Sequence, residues 1–270
     1  ATFITGADGS SITLGDSANA FSAAVTMKAE TDGSEDFGNI TFVDSAGIDF
    51  ATSAGSNGDL YINSSTDGKV GGSLSVTATT GNITDTVALQ VATTSSFTTS
   101  ADDATITLNT PAALTGAVTL STSGSAGHAT IDNGTTILKI AASTVRGNLT
   151  LTSGASTSGS NYAIMDTGTL NVSGNLIATT DANDGVIDLG SLAVNGSFDL
   201  TTDGSGNATV VNATALNFIT SGIGGNLSAT ATTGNITQST GALTVSGTTT
   251  LVTSAQAVTI DLSTITTNAF

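Results

Sequence analysis

The chain has one histidine, His128, and any acid–base chemistry that uses imidazole must use it. It lies in Ser-Ala-Gly-His-Ala-Thr-Ile-Asp, where Asp132 or a serine could complete a triad on paper. Serine and aspartate are so abundant that such a combination arises without any catalytic design, and His128 reads as a surface or turn residue. Cysteine is absent, which removes thiolate metal sites, cysteine nucleophiles and disulfide scaffolds. Two acidic stretches carry the hard oxygen ligands that calcium takes: Asp32-Gly33-Ser34-Glu35-Asp36 and Asp181-Ala182-Asn183-Asp184. Neither has the spacing of an EF-hand loop or of a calcium-binding nonapeptide roll. Turn chemistry places Asp and Asn before Gly without a metal, so both readings stay open. No catalytic residue, cofactor site or metal site is assigned.

Paired carboxylates converging from different parts of the chain could still support glycoside chemistry. Clefts of that kind also need basic groups and aromatic platforms. Here the bases are only Lys28, Lys69, Lys139 and Arg146, and tryptophan is missing. We therefore expect no enzyme. Twenty-one acids against four bases give a formal charge of −17. That balance argues against nucleic acid, whose phosphates need clustered Lys and Arg, and against anionic membranes. No segment is long and apolar enough to span a bilayer. Eleven Asn-X-Ser/Thr sequons occur, among them Asn39, Asn82, Asn148, Asn226 and Asn235. They follow the repeat wording, so they do not by themselves indicate glycosylation. Outward threonines such as Thr77, Thr79, Thr80 and Thr248–Thr250 would suit an ice-binding array, but their spacing asks for nothing beyond good strand formers.

Whatever these residues do, short strands must position them. Nine Phe, two Tyr and no Trp cannot fill a wide core. A narrow core, with a few Val, Leu and Ile per layer, suits this composition. Pro111 is the one proline, so backbone donors are available for continuous ladders nearly everywhere.

Internal repetition supplies the arrangement. Residues 71–108 and 224–262 align with one inserted residue in the second copy, and start 153 residues apart. A shorter period runs between them. Paired apolar steps at Leu170/Val172, Leu192/Val194, Leu216/Phe218 and Leu243/Val245 begin 22, 24 and 27 residues apart. Each is followed by Gly174, Gly196, Gly225 or Gly247, then by a second and a third alternating run. Earlier pairs such as Leu74/Val76, Ile106/Leu108, Leu149/Leu151 and Ala163/Met165 follow the same grammar. This pattern predicts an all-β, parallel β-solenoid with about three short strands per rung of roughly 20–27 residues. The whole chain, 1–270, reads as one solenoid domain, with less regular first rungs over 1–69 and regular rungs over 70–270. At roughly 23 residues per rung it makes about 11–12 rungs. Phe3, Phe21, Phe37, Phe42 and Phe50 crowd the first fifth, as a wider section, a longer loop around 31–38 or a cap would require.

The units GNLTLTSG, GTLNVSGNLIATT and GGNLSATATTGNIT resemble rungs of filamentous-haemagglutinin-type exoproteins, large bacterial adhesins with right-handed β-helical shafts. The resemblance covers residues 70–270 and is one of repeat style. It implies export and a cell-surface, extracellular location. The expected function is a structural shaft or filament used in adhesion, or as sheath or matrix. A carbohydrate-binding or carbohydrate-processing solenoid with a lateral groove is the alternative. Expected partners are neighbouring rungs, further copies of the chain stacked end to end, and surface glycans or proteins of a host or neighbouring cell. Both ends of such a stack are open edges, which invite association.

Overall fold

β-branched and small residues alternating in short runs leave the backbone little choice but pleated strands, broken where Gly, Asn and Asp turn the chain. A computed structural model describes residues 1–5, 9–29, 38–51, 59–62, 69–154 and 161–270. Among these residues it contains strands and turns and no helix, coiled into about ten turns of a β-solenoid. Among the described residues the pairings between strands are parallel, as a coil stacking on itself requires.

The strands gather into two units, Ala1–Asp132 and Asn133–Phe270. In the first, one ladder runs through Ile12–Leu14, Ile40–Asp44, Leu74–Ala78, Ser95–Asp102 and Ala117–Ser123. A second ends in Ile48–Phe50, Ile83–Asp85, Ile106–Leu108 and Ala129–Asp132. A short third side stacks Lys69–Val70, Gln90–Val91 and Ala113–Leu114. Early rungs are long: Ile12 pairs with Ile40, and Ile40 with Leu74. Later ones settle near the expected length, with Leu74 beside Ser95 and Ser95 beside Val118. Those long first rungs explain why the turns number nearer ten than the 11–12 expected. The strand Asp59–Ile62 is out of chain order, lying between Val25–Lys28 and Ile48–Phe50.

In the second unit one ladder joins Leu138–Ile140, Tyr162–Asp166, Val186–Val194, Ala208–Asn212, Leu227–Ala231 and Thr249–Thr253. Another joins Leu149–Thr152, Leu176–Thr179, Phe198–Thr201, Leu216–Phe218, Ile236–Gln238 and Ile260–Asp261. The third side is interrupted. Ser143–Val145 and Leu170–Val172 stack under Leu192–Val194, and the side resumes with Ser221–Ile223 and Leu243–Val245.

Alternation sends one residue in two to the axis, and those residues form the core. Leu74, Val76, Phe97, Ile106, Leu108, Leu149, Leu176, Phe198 and Phe218 are all buried. Each such aliphatic side chain contributes roughly 1.5–3 kcal/mol before the entropy of ordering is subtracted. Two aromatic pairs sit in this core, Phe50 edge-on to Phe97 at 6.2 Å and Phe198 tilted against Phe218 at 6.4 Å. Phe21 stacks on Phe42 at 5.4 Å and meets Phe3 edge-on at 6.1 Å, an aromatic cluster at the first rungs. Phe37 lies outside the described residues.

One inward assignment is corrected. Met165 faces outward, paired between Lys139 and Asp188, while Ala163 and Ile164 are both buried. A bulge between Tyr162 and Ile164 adds one residue, and one residue is enough to reverse which side faces the core.

Candidate functional site: polar corners and open edges

The polar residues that could do chemistry are concentrated at the corners, where the chain turns from one side of a rung to the next. The corner wording Gly-Asn-Leu/Ile-Ser/Thr has a physical reading at each position. Gly225 N donates to Gly206 O at 2.9 Å, and Gly247 N to Gly225 O at 2.9 Å. A Cβ on Gly225 would overlap Asn207 Oδ1 and Ser205 O and stand 2.9 Å from Gly206 O, so only glycine fits. The next residue extends its side chain to the following rung. Asn207 Oδ1 accepts from Asn226 N at 2.7 Å, and Asn226 Oδ1 accepts from Thr248 N at 2.8 Å. The same ladder runs from Asn148 to Asn175 to Ser197, both bonds 2.9 Å. Single steps recur at Asn39 to Ser73, Asn82 to Thr105 and Asn235 to Thr259. The named sequon asparagines thus have a structural task for their carbonyl oxygens.

Threonines close another set of corners. The hydroxyls of Thr99, Thr122, Thr180 and Thr202 are buried and donate to Ala104, Gly127, Gly185 and Gly206 O. Thr180 and Thr202 also accept from the next rung, from Asp203 N at 3.0 Å and Gly224 N at 2.9 Å. One hydroxyl therefore fastens its own turn and the turn stacked on it.

The acids serve in the same way. Asp103 Oδ1 accepts from Ala126 N, Asp184 Oδ1 from Ser205 N, and the two oxygens of Asp166 from Gly190 N and Ser191 N. Asn183 and Asp184 hold left-handed backbone angles, φ 61° and 55°. That is the turn chemistry expected of Asn and Asp. Among the described residues no group of three acids or histidines is arranged to hold a metal ion. Asp32-Gly33-Ser34-Glu35-Asp36 falls outside the described residues. His128 is exposed, with its carbonyl accepting from Ile106 N. Alternation places it on the outward side with Asp132. Thr249 breaks the outward row suggested for Thr248–Thr250, since it occupies an inward position beside Leu227.

One carboxylate is held in a perturbing environment. Asp85 is 7% exposed and lies one position from the register partner of Asp49. Burial pushes its carboxyl above the ordinary 3.8; the N–H groups of Thr110 and Asn109 pull it down, and the Asp49 charge adds to the rise. Burial also raises Asp199. A carboxyl raised on folding stabilises the fold fully below 3.8, and that contribution is lost as pH rises through the raised value. Asp85→Asn keeps an oxygen for Asn109 and Thr110 and removes the charge. Its melting temperature should therefore rise less than that of the unaltered chain as pH falls from neutral to about 4. Parallel pH profiles for the two proteins would show that Asp85 is not the source.

A lateral hollow of about 300 Å³ lies beside the corner ladder, lined by Asn207, Thr209, Asn226, Ser228, Thr248 and Thr250. It offers neutral hydroxyls and amides, with neither a carboxylate nor a ring among its lining residues.

The sequence model of a family described as repeats of unknown function (DUF5649) matches residues 38–121 and 205–270, more than half of the chain. The chain belongs to this repeat family. The two DUF5649 stretches contain the two copies of the internal duplication, 71–108 and 224–262. The copies differ at the first corner, where Ser73 stands in place of Asn226, and agree at the second. Residues 83 and 236 follow the ladder asparagines Asn82 and Asn235, and both are isoleucines buried in the core. No curated protein and no solved structure matches the chain.

Among the described residues five large apolar side chains are exposed: Ile4, Tyr162, Val252, Ile260 and Phe270. All but Tyr162 belong to the first strand, the last rung or the C-terminal residues beyond that rung.

Proposed function

We propose that this DUF5649 chain is a structural segment of a secreted bacterial cell-surface protein, a shaft or filament element used in adhesion or in an extracellular sheath or matrix. The observation that carries this reading is the use made of the polar corners. Asparagine amides, threonine hydroxyls and aspartate carboxylates, the groups a reactive site would need, are bound to the backbone of the neighbouring rung. Such bonds add stiffness to a stack. The resemblance of its units to filamentous-haemagglutinin-type exoproteins supports export, and the absence of cysteine is compatible with an oxidising exterior. In this role the chain needs no cofactor and catalyses no reaction.

The test is mechanical. Stretched from its two termini, a load-bearing solenoid should yield in successive steps, each releasing one rung of about 23 residues, or roughly 75 Å of extended chain. Collapse of the whole chain in one low-force event would overturn the structural reading. The carbohydrate reading predicts instead that the hollow beside Asn207 and Asn226 retains neutral oligosaccharides.

A further inference from the structure

We infer that the corner asparagines Asn39, Asn82, Asn207, Asn226 and Asn235 are attachment sites for sugar, each carrying it on its side-chain nitrogen, Nδ2. The inference goes beyond the structural reading above, because it assigns a covalent modification to the sides of the rungs.

Each of the five opens an Asn-X-Ser/Thr triplet. Alternation settles how the triplet is displayed. The middle residue, Ile40, Ile83, Ala208, Leu227 or Ile236, is buried in the core. The asparagine is exposed, and the Ser or Thr two positions on lies on the same outward side. An enzyme that reads the amide and the hydroxyl together meets both on one side of one strand.

The amide is also oriented. Oδ1 of each asparagine accepts from a backbone N–H of the following rung, at 2.7–2.9 Å. That bond fixes the side chain and leaves Nδ2 without a partner among the described residues. The carbonyl is held and the nitrogen is presented. The co-reactant is a sugar activated at C1 by a diphosphate, brought by a transferase. The Nδ2–C1 bond forms as the C1–O bond breaks. The diphosphate leaves with the bonding pair, and the transferase takes one amide proton. The product keeps Oδ1 as a carbonyl oxygen, so the bond to the following rung survives. Beside Asn207 and Asn226 the hollow of about 300 Å³ offers the attached rings the hydroxyls of Thr209, Ser228 and Thr250.

Two other sequons of the same chain are internal controls. Asn133 and Asn212 head Asn-Gly-Thr and Asn-Ala-Thr, and both are 0% exposed. Asn133 Nδ2 donates to Thr136 O at 2.9 Å, and Asn212 Nδ2 donates to Val194 O and Ala215 O. A sugar there would break these bonds and has no room in the core. A chain modified at either position before folding would not fold, and a folded chain does not expose them. Both orders of events lead to the same pattern in folded protein.

The experiment purifies the folded chain from the cells that make it and maps its peptides by mass spectrometry, with fragmentation that keeps side-chain groups attached. Mass increments of whole sugar residues are expected at the five corner asparagines and none at Asn133 or Asn212. Corner asparagines no more occupied than the buried pair overturn the inference, and so does a chain bare at every one of these positions. Asn226→Asp, made in the same cells, keeps an acceptor oxygen for Thr248 N and removes the nitrogen. It should melt close to the unaltered chain and lose the increment from its own peptide. An increment that stays on that peptide would place the sugar on a hydroxyl such as that of Ser228 and overturn the assignment to Nδ2. None of these results touches the stretching experiment, so the structural reading stands or falls separately.

Discussion

Alanine at Gly225 should cost the second unit about 3 kcal/mol or more, while alanine at Gly190 should cost less than about 0.5 kcal/mol. Both are glycines in the same unit, and composition alone does not distinguish them. At Gly225 the new methyl would occupy the space held by Asn207 Oδ1 and Ser205 O. The rung would have to rise to admit it. That movement strains Gly225 N to Gly206 O and Gly247 N to Gly225 O, and with them the side-chain bonds from Asn226 N and Thr248 N. A stack has no slack in this direction, since its spacing is set by strand pairing at about 4.8 Å. At Gly190 a Cβ would meet nothing within 4 Å. Urea unfolding followed by circular dichroism at the strand minimum reads both changes. Equal midpoints for the two variants would show that corner glycines serve turn flexibility and not the close approach of rungs.

That contrast marks the limit of what the chain discloses as text. Inward and outward positions are readable because alternation has period two and the core takes Leu, Ile, Val and Phe. Leu74/Val76, Ile106/Leu108 and Leu149/Leu151 are buried as alternation requires. Alternation says which side a residue faces and nothing about which strand lies beside it. The out-of-order strand Asp59–Ile62 has an ordinary Leu60/Ile62 step, and no residue in it names Val25–Lys28 as its neighbour. Met165 departs from alternation for a related reason, since a bulge leaves no mark in a run of apolar residues. The corner wording is visible as repetition. The bonds made there, from the backbone of one rung to the side chain of the rung before, are not written in the residues. The duplication is legible in the residues, whereas the burial of Ile106 and the 46% exposure of Ile260 are not.

Asn212 is the position where sequence logic fails most plainly, and its replacement should have the second large effect. Alternation puts it inward, beside Leu192, and it is 0% exposed. A buried amide in an aliphatic column looks like an error until its bonds are followed. Oδ1 accepts from Val194 N at 2.9 Å, while Nδ2 donates to Val194 O at 3.0 Å and Ala215 O at 2.7 Å. Here the third side of the rung is interrupted, and the chain turns through Ala213 and Thr214 without laying a strand beside Val194. The side chain supplies the peptide group that the missing strand would have brought. Asn212→Ala strands Val194 N–H and Ala215 O; Val194 O keeps Thr214 Oγ1 at 3.1 Å. Ala215 is exposed and its carbonyl can turn to water, but the buried Val194 N–H cannot, which costs about 1–3 kcal/mol. Asn212→Leu fills the space and restores neither bond, so it should lose nearly as much. Asn212→Asp should separate bonding from packing. Its ionised carboxylate would face two carbonyls in a buried site, which raises its pKa. Stability would then return as pH falls and the carboxyl becomes a donor, and would be lost again as pH rises through the raised value. If Asn212→Leu melts with the unaltered chain, the amide fills space and completes no ladder.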